Sequence, residues 1–298
     1  MNASTALLGR SLPALVHVQA EIPETHPSAS VLGTTRMGSG TVVDSAGLVL
    51  TVSYVVLGAR EVRVVFLDQS SHVAEVVRWD VVSGLALLRL PESGVPALPI
   101  GRSTDLQLGD DVFILASVGP DGARVSTGNV TYLGPYDANW EYVLDRAVMA
   151  SAMNPGLGGG PLLDRRGTVV GVVSLNLNDI GRFSLAIPAE CYGDARDAFA
   201  SGDGQAMRTR PWLGIFCQML NHHVVIAGLL PGGPGEQAGL RMGDVILAVD
   251  GQDVADRATL YRRLWARRPG ESVTLRVHRG RTETDVTFAC GDVAEFFA

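Results

Sequence analysis

Asn154-Pro155-Gly156-Leu157-Gly158-Gly159-Gly160-Pro161 is a turn with four glycines in five positions, set between two strand-like runs at 142–148 and 168–175. The same rhythm extends outward from it. Between Leu12 and Ile187 short β-rich runs, among them 62–67 and 111–116, are separated by Gly, Pro, Asp and Ser turns. Many short strands at this spacing are the pattern of antiparallel barrels. The 35 glycines exceed the usual share of about 7%, which suits a fold of tight turns.

With 298 residues, 46% of them hydrophobic and 18% charged, the chain has the composition of a globular protein with room for two cores. A net charge of -7 and a pI near 5.4 weigh against nucleic acid or an anionic membrane as partner. All 24 basic residues are arginine. Cys191, Cys217 and Cys290 are too far apart for a disulfide framework or a Cys-x-x-Cys metal site and are expected as small buried hydrophobes. His222 and His223 are adjacent, so on a strand they face opposite ways, and no metal site is expected there. No cofactor is expected either. No window reaches the roughly 18 apolar residues of a membrane helix. Arg10 and Pro13 interrupt the apolar start, so the expected location is the cytoplasm, or the periplasm if the N-terminus has been trimmed.

The glycine turn resembles the nucleophile loop of trypsin-like proteases of the HtrA type, where the segment runs Asn-Pro-Gly-Asn-Ser-Gly-Gly-Pro. Gly158 stands at the serine. Gly38-Ser39-Gly40-Thr41-Val42-Val43, Gly47-Leu48-Val49-Leu50-Thr51 and Val55-Val56 resemble the strand pair that leads to the family's Thr-Asn-x-His-Val-Val, with Tyr54 at the histidine. The stretch from Asp80 through Leu85-Ala86-Leu87 resembles Asp-x-x-x-Asp-Leu-Ala-Val-Leu, with Gly84 at the orienting aspartate. A serine nucleophile needs an imidazole base and a carboxylate to orient it. The resemblance therefore implies a catalytically inactive member, a pseudoprotease. Ser53 and Ser151 lie near the site in sequence, but nothing supplies either with a base, and His17, His26, His72, His222, His223 and His278 all fall outside the positions that the resemblance puts in the cleft. The amides of Gly156 and Gly158 match the family's oxyanion hole, a remnant worth about 10³-fold over water when a triad is gone. The glycines are also explained if the turn demands positive φ. Arg182, Phe183 and Ser184 fall in the stretch that resembles a specificity-pocket wall.

Arg210-Pro211-Trp212-Leu213-Gly214-Ile215, followed by Gly228 to Leu240 and Gly243-Asp244-Val245-Ile246 to Gly251, resembles a PDZ domain of the HtrA type. An all-β-dominated fold is implied, a trypsin-like pair of six-stranded antiparallel barrels plus a small α+β PDZ domain. The expected boundaries are 1–200 for the barrels, with a closing helix at 188–200, a linker at 201–209, and 210–298 for the PDZ domain. Within the latter, 256–267 reads as an amphipathic helix, and 272–277 with 283–288 as the closing hairpin. PDZ grooves add a C-terminal peptide as a strand and bind its carboxylate with loop amides. Leu213, Gly214 and Ile215 would donate, Gly214 leaving room for the carboxylate, Arg210 and Trp212 lying beside them, and Leu260 and Leu264 lining the pocket for the last side chain. The alternatives are a groove filled by the chain's own elements and a serine endopeptidase with a non-standard site. Expected partners are protein C-termini or unfolded segments, an active HtrA relative, and further copies of this chain, a trimer by resemblance. Trp140, Trp212, Trp265, Phe296 and Phe297 are expected in cores.

Overall fold

A computed structural model of the chain describes residues 3–178, 181–193 and 210–298. The expected linker and 194–200 of the expected closing helix lie outside the described residues; Glu190–Gly193 is a short helix. Two compact units emerge, Met1–Gly134 with Asp145–Met207, and Pro135–Leu144 with Arg208–Ala298.

The first unit holds two closed barrels. One contains β1 (Leu15–Glu21), β2 (Thr35–Asp44), β3 (Leu48–Val52), β4 (Glu61–Phe66), β5 (Ser71–Trp79) and β6 (Leu85–Arg89), closed in the order β1-β2-β3-β6-β5-β4. The other contains β7 (Asp111–Gly119), β8 (Gly122–Ala138), β9 (Tyr142–Ala150), β10 (Pro161–Asp164), β11 (Val169–Leu177) and β12 (Phe183–Pro188), in the order β10-β11-β12-β9-β8-β7. All pairings given a register are antiparallel, as the turn spacing predicts, and closure leaves no free sheet edge. Strands β3 and β6 read as near-continuous apolar runs because both their faces are covered, and Leu85, Ala86, Leu87 and Leu88 are all fully buried. In the second barrel Val112, Ile114, Val148, Leu162 and Val173 meet in one core cluster. Pro161 opens β10, a strand start being a place where a missing N–H is tolerated.

The second unit is a sheet of β14 (Ile215–Leu220), β15 (His223–Leu229), β16 (Val245–Val249), β18 (Ser272–Arg279) and β19 (Thr282–Ala289) in that order. Strand β17 (Gln252–Asp253) pairs with β16, and β13 (Pro211–Trp212) pairs with β20 (Gly291–Asp292). A helix at Arg257–Leu264 packs Leu260, Tyr261 and Leu264 against Leu213, Ile215, Val224, Ile226, Val273 and Leu275. Asp256 caps it, its carboxylate accepting from the Thr259 N–H at 2.6 Å, which turns an acidic residue at N-cap into a helix start. Strand β14 is the last strand of its sheet, with one backbone edge left for another segment.

Not every expectation about burial holds. Trp140 is exposed and stacks on Tyr142 at 6.1 Å, whereas Trp212 packs against Phe296 and Phe297. Cys217 and Cys290 are buried, Cys191 only partly.

Candidate functional site

The glycine turn is held by backbone and hydroxyl groups from both barrels. Ser39 on β2 donates its N–H to the Gly158 carbonyl at 2.6 Å and its hydroxyl to the Leu157 carbonyl at 2.7 Å. The Leu157 N–H reaches the Ser117 carbonyl at 2.9 Å, and the Gly159 N–H reaches Val173 at 2.7 Å. The Gly156 N–H points to the Asn154 side chain at a long 3.4 Å. Of the four turn glycines only Gly159 takes a positive φ, +99°, so the left-handed backbone accounts for one of them.

Tyr54 follows β3 in a short helix, Ser53–Val56. Its hydroxyl donates to the Ser174 carbonyl at 2.9 Å, and burial pushes its pKa up to about 12, so it remains a neutral donor. A Cβ built on Gly158 would meet that hydroxyl, and would lie 2.8 Å from the Ser174 carbonyl oxygen. Gly84 joins from the other side, its carbonyl accepting the Ser53 N–H at 2.8 Å. The three positions singled out in the sequence therefore converge. Ser151 does not: it is exposed and its hydroxyl accepts from the Asn129 N–H at 2.9 Å. Ser184 on β12 is buried, binding the Asn154 N–H at 2.7 Å and Asn176 at 2.8 Å. His17, one of the histidines expected outside the cleft, has its Nδ1 2.8 Å from the hydroxyl of Ser117, whose carbonyl holds the Leu157 N–H of the turn. Both residues are buried, and burial lowers the His17 pKa, so the ring is neutral and shut off from solvent.

The second locus lies wholly in the second unit, on the loop that precedes β14. Glu141, in the turn between β8 and β9, is buried, and its carboxylate accepts the Leu213 N–H at 3.1 and 3.2 Å and the Ile215 N–H at 3.0 Å. The neighbouring segment lies along the β14 edge. The Cys217 N–H donates to the Asn139 carbonyl at 2.7 Å, Tyr261 donates its hydroxyl to the Ala138 carbonyl at 2.9 Å, and Arg257 holds the Asp137 carboxylate at 2.7 Å. Gly214 takes φ +75°, and a Cβ there would stand 3.1 Å from the Trp212 ring. Glycine is demanded by its own backbone and by Trp212, a different reason from room for an incoming carboxylate. Arg210 stacks on Trp265, 3.7 Å from the ring centroid. Leu260 and Leu264, expected as pocket walls, are fully buried in the core, and it is Arg257 and Tyr261 of the same helix that touch residues 137–141. Glu141, Arg257 and Tyr261 carried no motif that would have marked them.

Residues 38–172 match the trypsin-like peptidase domain family and residues 211–289 the PDZ domain family. A trypsin-like peptidase domain followed by a PDZ domain is the HtrA-type arrangement, and the chain belongs to that family. A probable periplasmic DegP-like serine endoprotease of Halomonas elongata is 31% identical over 274 residues, covering 86% of this chain and 56% of its own. The putative serine protease HhoA of Synechocystis is 32% identical over 254 residues, covering 76% and 63%. The chain thus spans less than two thirds of the length of these curated relatives. Among solved structures, the HtrA-type protease AlgW with a decapeptide superposes with a TM-score of 0.58 at 24% identity over 98% of this chain and 99% of that one. The serine endoprotease of Yersinia pestis gives 0.58 at 21%, over 98% of each chain. These superpositions establish the fold. No helix among the described residues is long and apolar enough to cross a membrane.

The crowding at Gly158 has a measurable consequence. Gly158→Ser should lower stability in urea unfolding by about 1–3 kcal/mol, the usual cost of overpacking, and should cost less in a Tyr54→His background, where the phenol is gone. Glu141 gives a pH dependence. Burial pushes its pKa up from 4.5 to about 7 against the opposing pull of the Ile215, Leu213 and Gly214 amides and of Arg210. The other groups packed here are Cys217 and Tyr261, both pushed up by burial and therefore neutral, and Arg257, paired with Asp137. Between those two pKa values the folded chain keeps a proton that the unfolded chain has released, so stability falls as pH rises from about 4.5 to about 7. Urea midpoints at pH 5 and pH 8 should differ in that sense, by on the order of 1–3 kcal/mol, and the difference should shrink in Glu141→Gln.

Proposed function

We propose that this HtrA-type chain binds peptides without cutting them, recognising protein C-termini or unfolded segments through the groove beside β14. Tyr54 carries the reading. A phenol, its proton engaged by Ser174, fills the space that a side chain at Gly158 would enter. An acyl-transfer site needs a nucleophile with a base in hydrogen-bond reach and an orienting group behind the base. Gly158 offers no nucleophile, Gly84 no carboxylate, and His17 is sealed behind the turn. On this reading positions 54, 84 and 158 form a degenerate triad, and Gly156 and Gly158 are the remains of an oxyanion hole.

The domain roles follow: residues 1–200 an inactive protease-fold scaffold, 210–298 the recognition module, with 201–209 between them. A role as adaptor or chaperone-like partner, in a homo-oligomer or beside an active relative, is part of the same proposal. The name of the DegP-like relative from Halomonas elongata places it in the periplasm, which supports an extracytoplasmic compartment for this chain in place of the cytoplasm suggested by its first residues. A second reading, a scaffold whose groove is permanently filled, draws on residues 137–141 lying along β14.

A fluorophosphonate probe added to the full chain should label no serine, and casein should stay intact; stoichiometric labelling of one serine would return the chain to the endopeptidases. Fluorescence anisotropy with C-terminal peptides should give binding that disappears when the terminal carboxylate is amidated. Absence of binding by either form up to millimolar peptide would leave the filled scaffold as the better account.

A further inference from the structure

The carboxylate of Glu141 sits where the loop before β14 offers its amides, and it takes two of them, Leu213 and Ile215. The rest of the segment behaves as an extended ligand would. Asn139 accepts the Cys217 N–H from the outer edge of β14, the terminal strand of its sheet, in the manner of an added strand. Arg257 and Tyr261 hold the preceding residues by the Asp137 carboxylate and the Ala138 carbonyl, and Val143 packs on the core of the unit. Glu141 does this from φ +55°, a left-handed backbone that few non-glycine residues adopt, so the contacts of its side chain hold a conformation that its backbone alone disfavours.

We infer that residues 137–141 are an internal ligand of the PDZ groove, with the Glu141 side chain standing in for a C-terminal carboxylate, and that this segment must withdraw before a peptide C-terminus can bind. The inference rests on the reading of the groove as a carboxylate-recognising site and adds its regulation. The competing ligand it implies is an extended peptide with a free terminal carboxylate. Such a peptide reproduces both halves of the internal contact, the anion on the Leu213 and Ile215 amides and the main chain on β14. An internal segment of a protein, which has no terminal carboxylate, competes for only the second half.

The test uses the full chain and a fluorescein-labelled pool of decapeptides randomised over apolar residues at the last three positions, as free acids and as amides. Glu141→Ala should bind the free acids at least tenfold more tightly than the parent chain does, with little change for the amides. Asp137→Ala, which loosens the segment without touching the anion site, should move affinity in the same direction by a smaller factor. Its position is partly exposed, so it serves should Glu141→Ala fail to fold. Equal gains for acids and amides would overturn the carboxylate mimicry. If acids bind the parent chain and amides do not, yet neither variant alters that affinity beyond twofold, the internal ligand is refuted while carboxylate recognition stands. Should no peptide of either form bind the parent or the variants, the reading of the groove falls and the inference with it.

Discussion

Ser39 is wholly buried, and all of its polar atoms are spent. Its N–H and hydroxyl hold two successive carbonyls of the glycine turn, its hydroxyl also accepts the Ser117 N–H at 2.9 Å, and its carbonyl accepts the Thr51 hydroxyl at 2.7 Å. One residue thereby ties β2, β3, β7 and the turn together in the interior of the first unit. A buried polar group left without a partner costs a few kcal/mol, so these four bonds constrain one another, and the turn cannot relax without orphaning several of them. That explains how the turn keeps its shape with Gly158 in it. The geometry is fixed by carbonyls and amides, and with the Tyr54 hydroxyl and the Ser174 carbonyl packed against Gly158 it suits a centre without a side chain.

The groove of the second unit solves an opposite problem. Loop amides that are arranged to receive an anion are a liability when nothing is bound, because buried N–H groups need acceptors. Glu141 supplies one from within the chain. Its carboxylate is out of water, which is why its pKa rises, and the cost is offset by charge-assisted bonds and by Arg210 nearby. The balance is close.

Much of this architecture was legible in the residues. Turn chemistry and short β-rich runs announced the barrels, and the observed strands, for example β4 at Glu61–Phe66 against an expected 62–67 and β7 at Asp111–Gly119 against 111–116, fall within one to three residues. The i, i+4 spacing of Leu260 and Leu264 announced the helix expected at 256–267, although it runs only from Arg257 to Leu264. Positions 54, 84 and 158 could be located because the glycine, proline and aliphatic residues around them keep a recognisable spacing. What stayed hidden was what depends on contacts distant in sequence. Glu141 lies 72 residues from Leu213 and 74 from Ile215, in a turn with no signature of its own, and an acidic residue in a turn is ordinarily solvated. Likewise His17 and Ser117 are 100 residues apart and read as two unremarkable strand residues. Leu260 and Leu264 lie on one helical face, as their spacing predicts, and that face is buried in the core cluster against which Val143 also packs.

On the proposal that residues 137–141 are an internal ligand, the segment is carried on β8 and β9 and so never diffuses away from the groove. A tethered competitor of this kind acts at an effective concentration in the millimolar range for a short connection, whatever the abundance of the protein. An incoming chain end must outcompete that local supply, so the hairpin sets a threshold. On that proposal scarce or weakly matched termini are passed over, and occupancy rises only when ends of suitable chemistry accumulate.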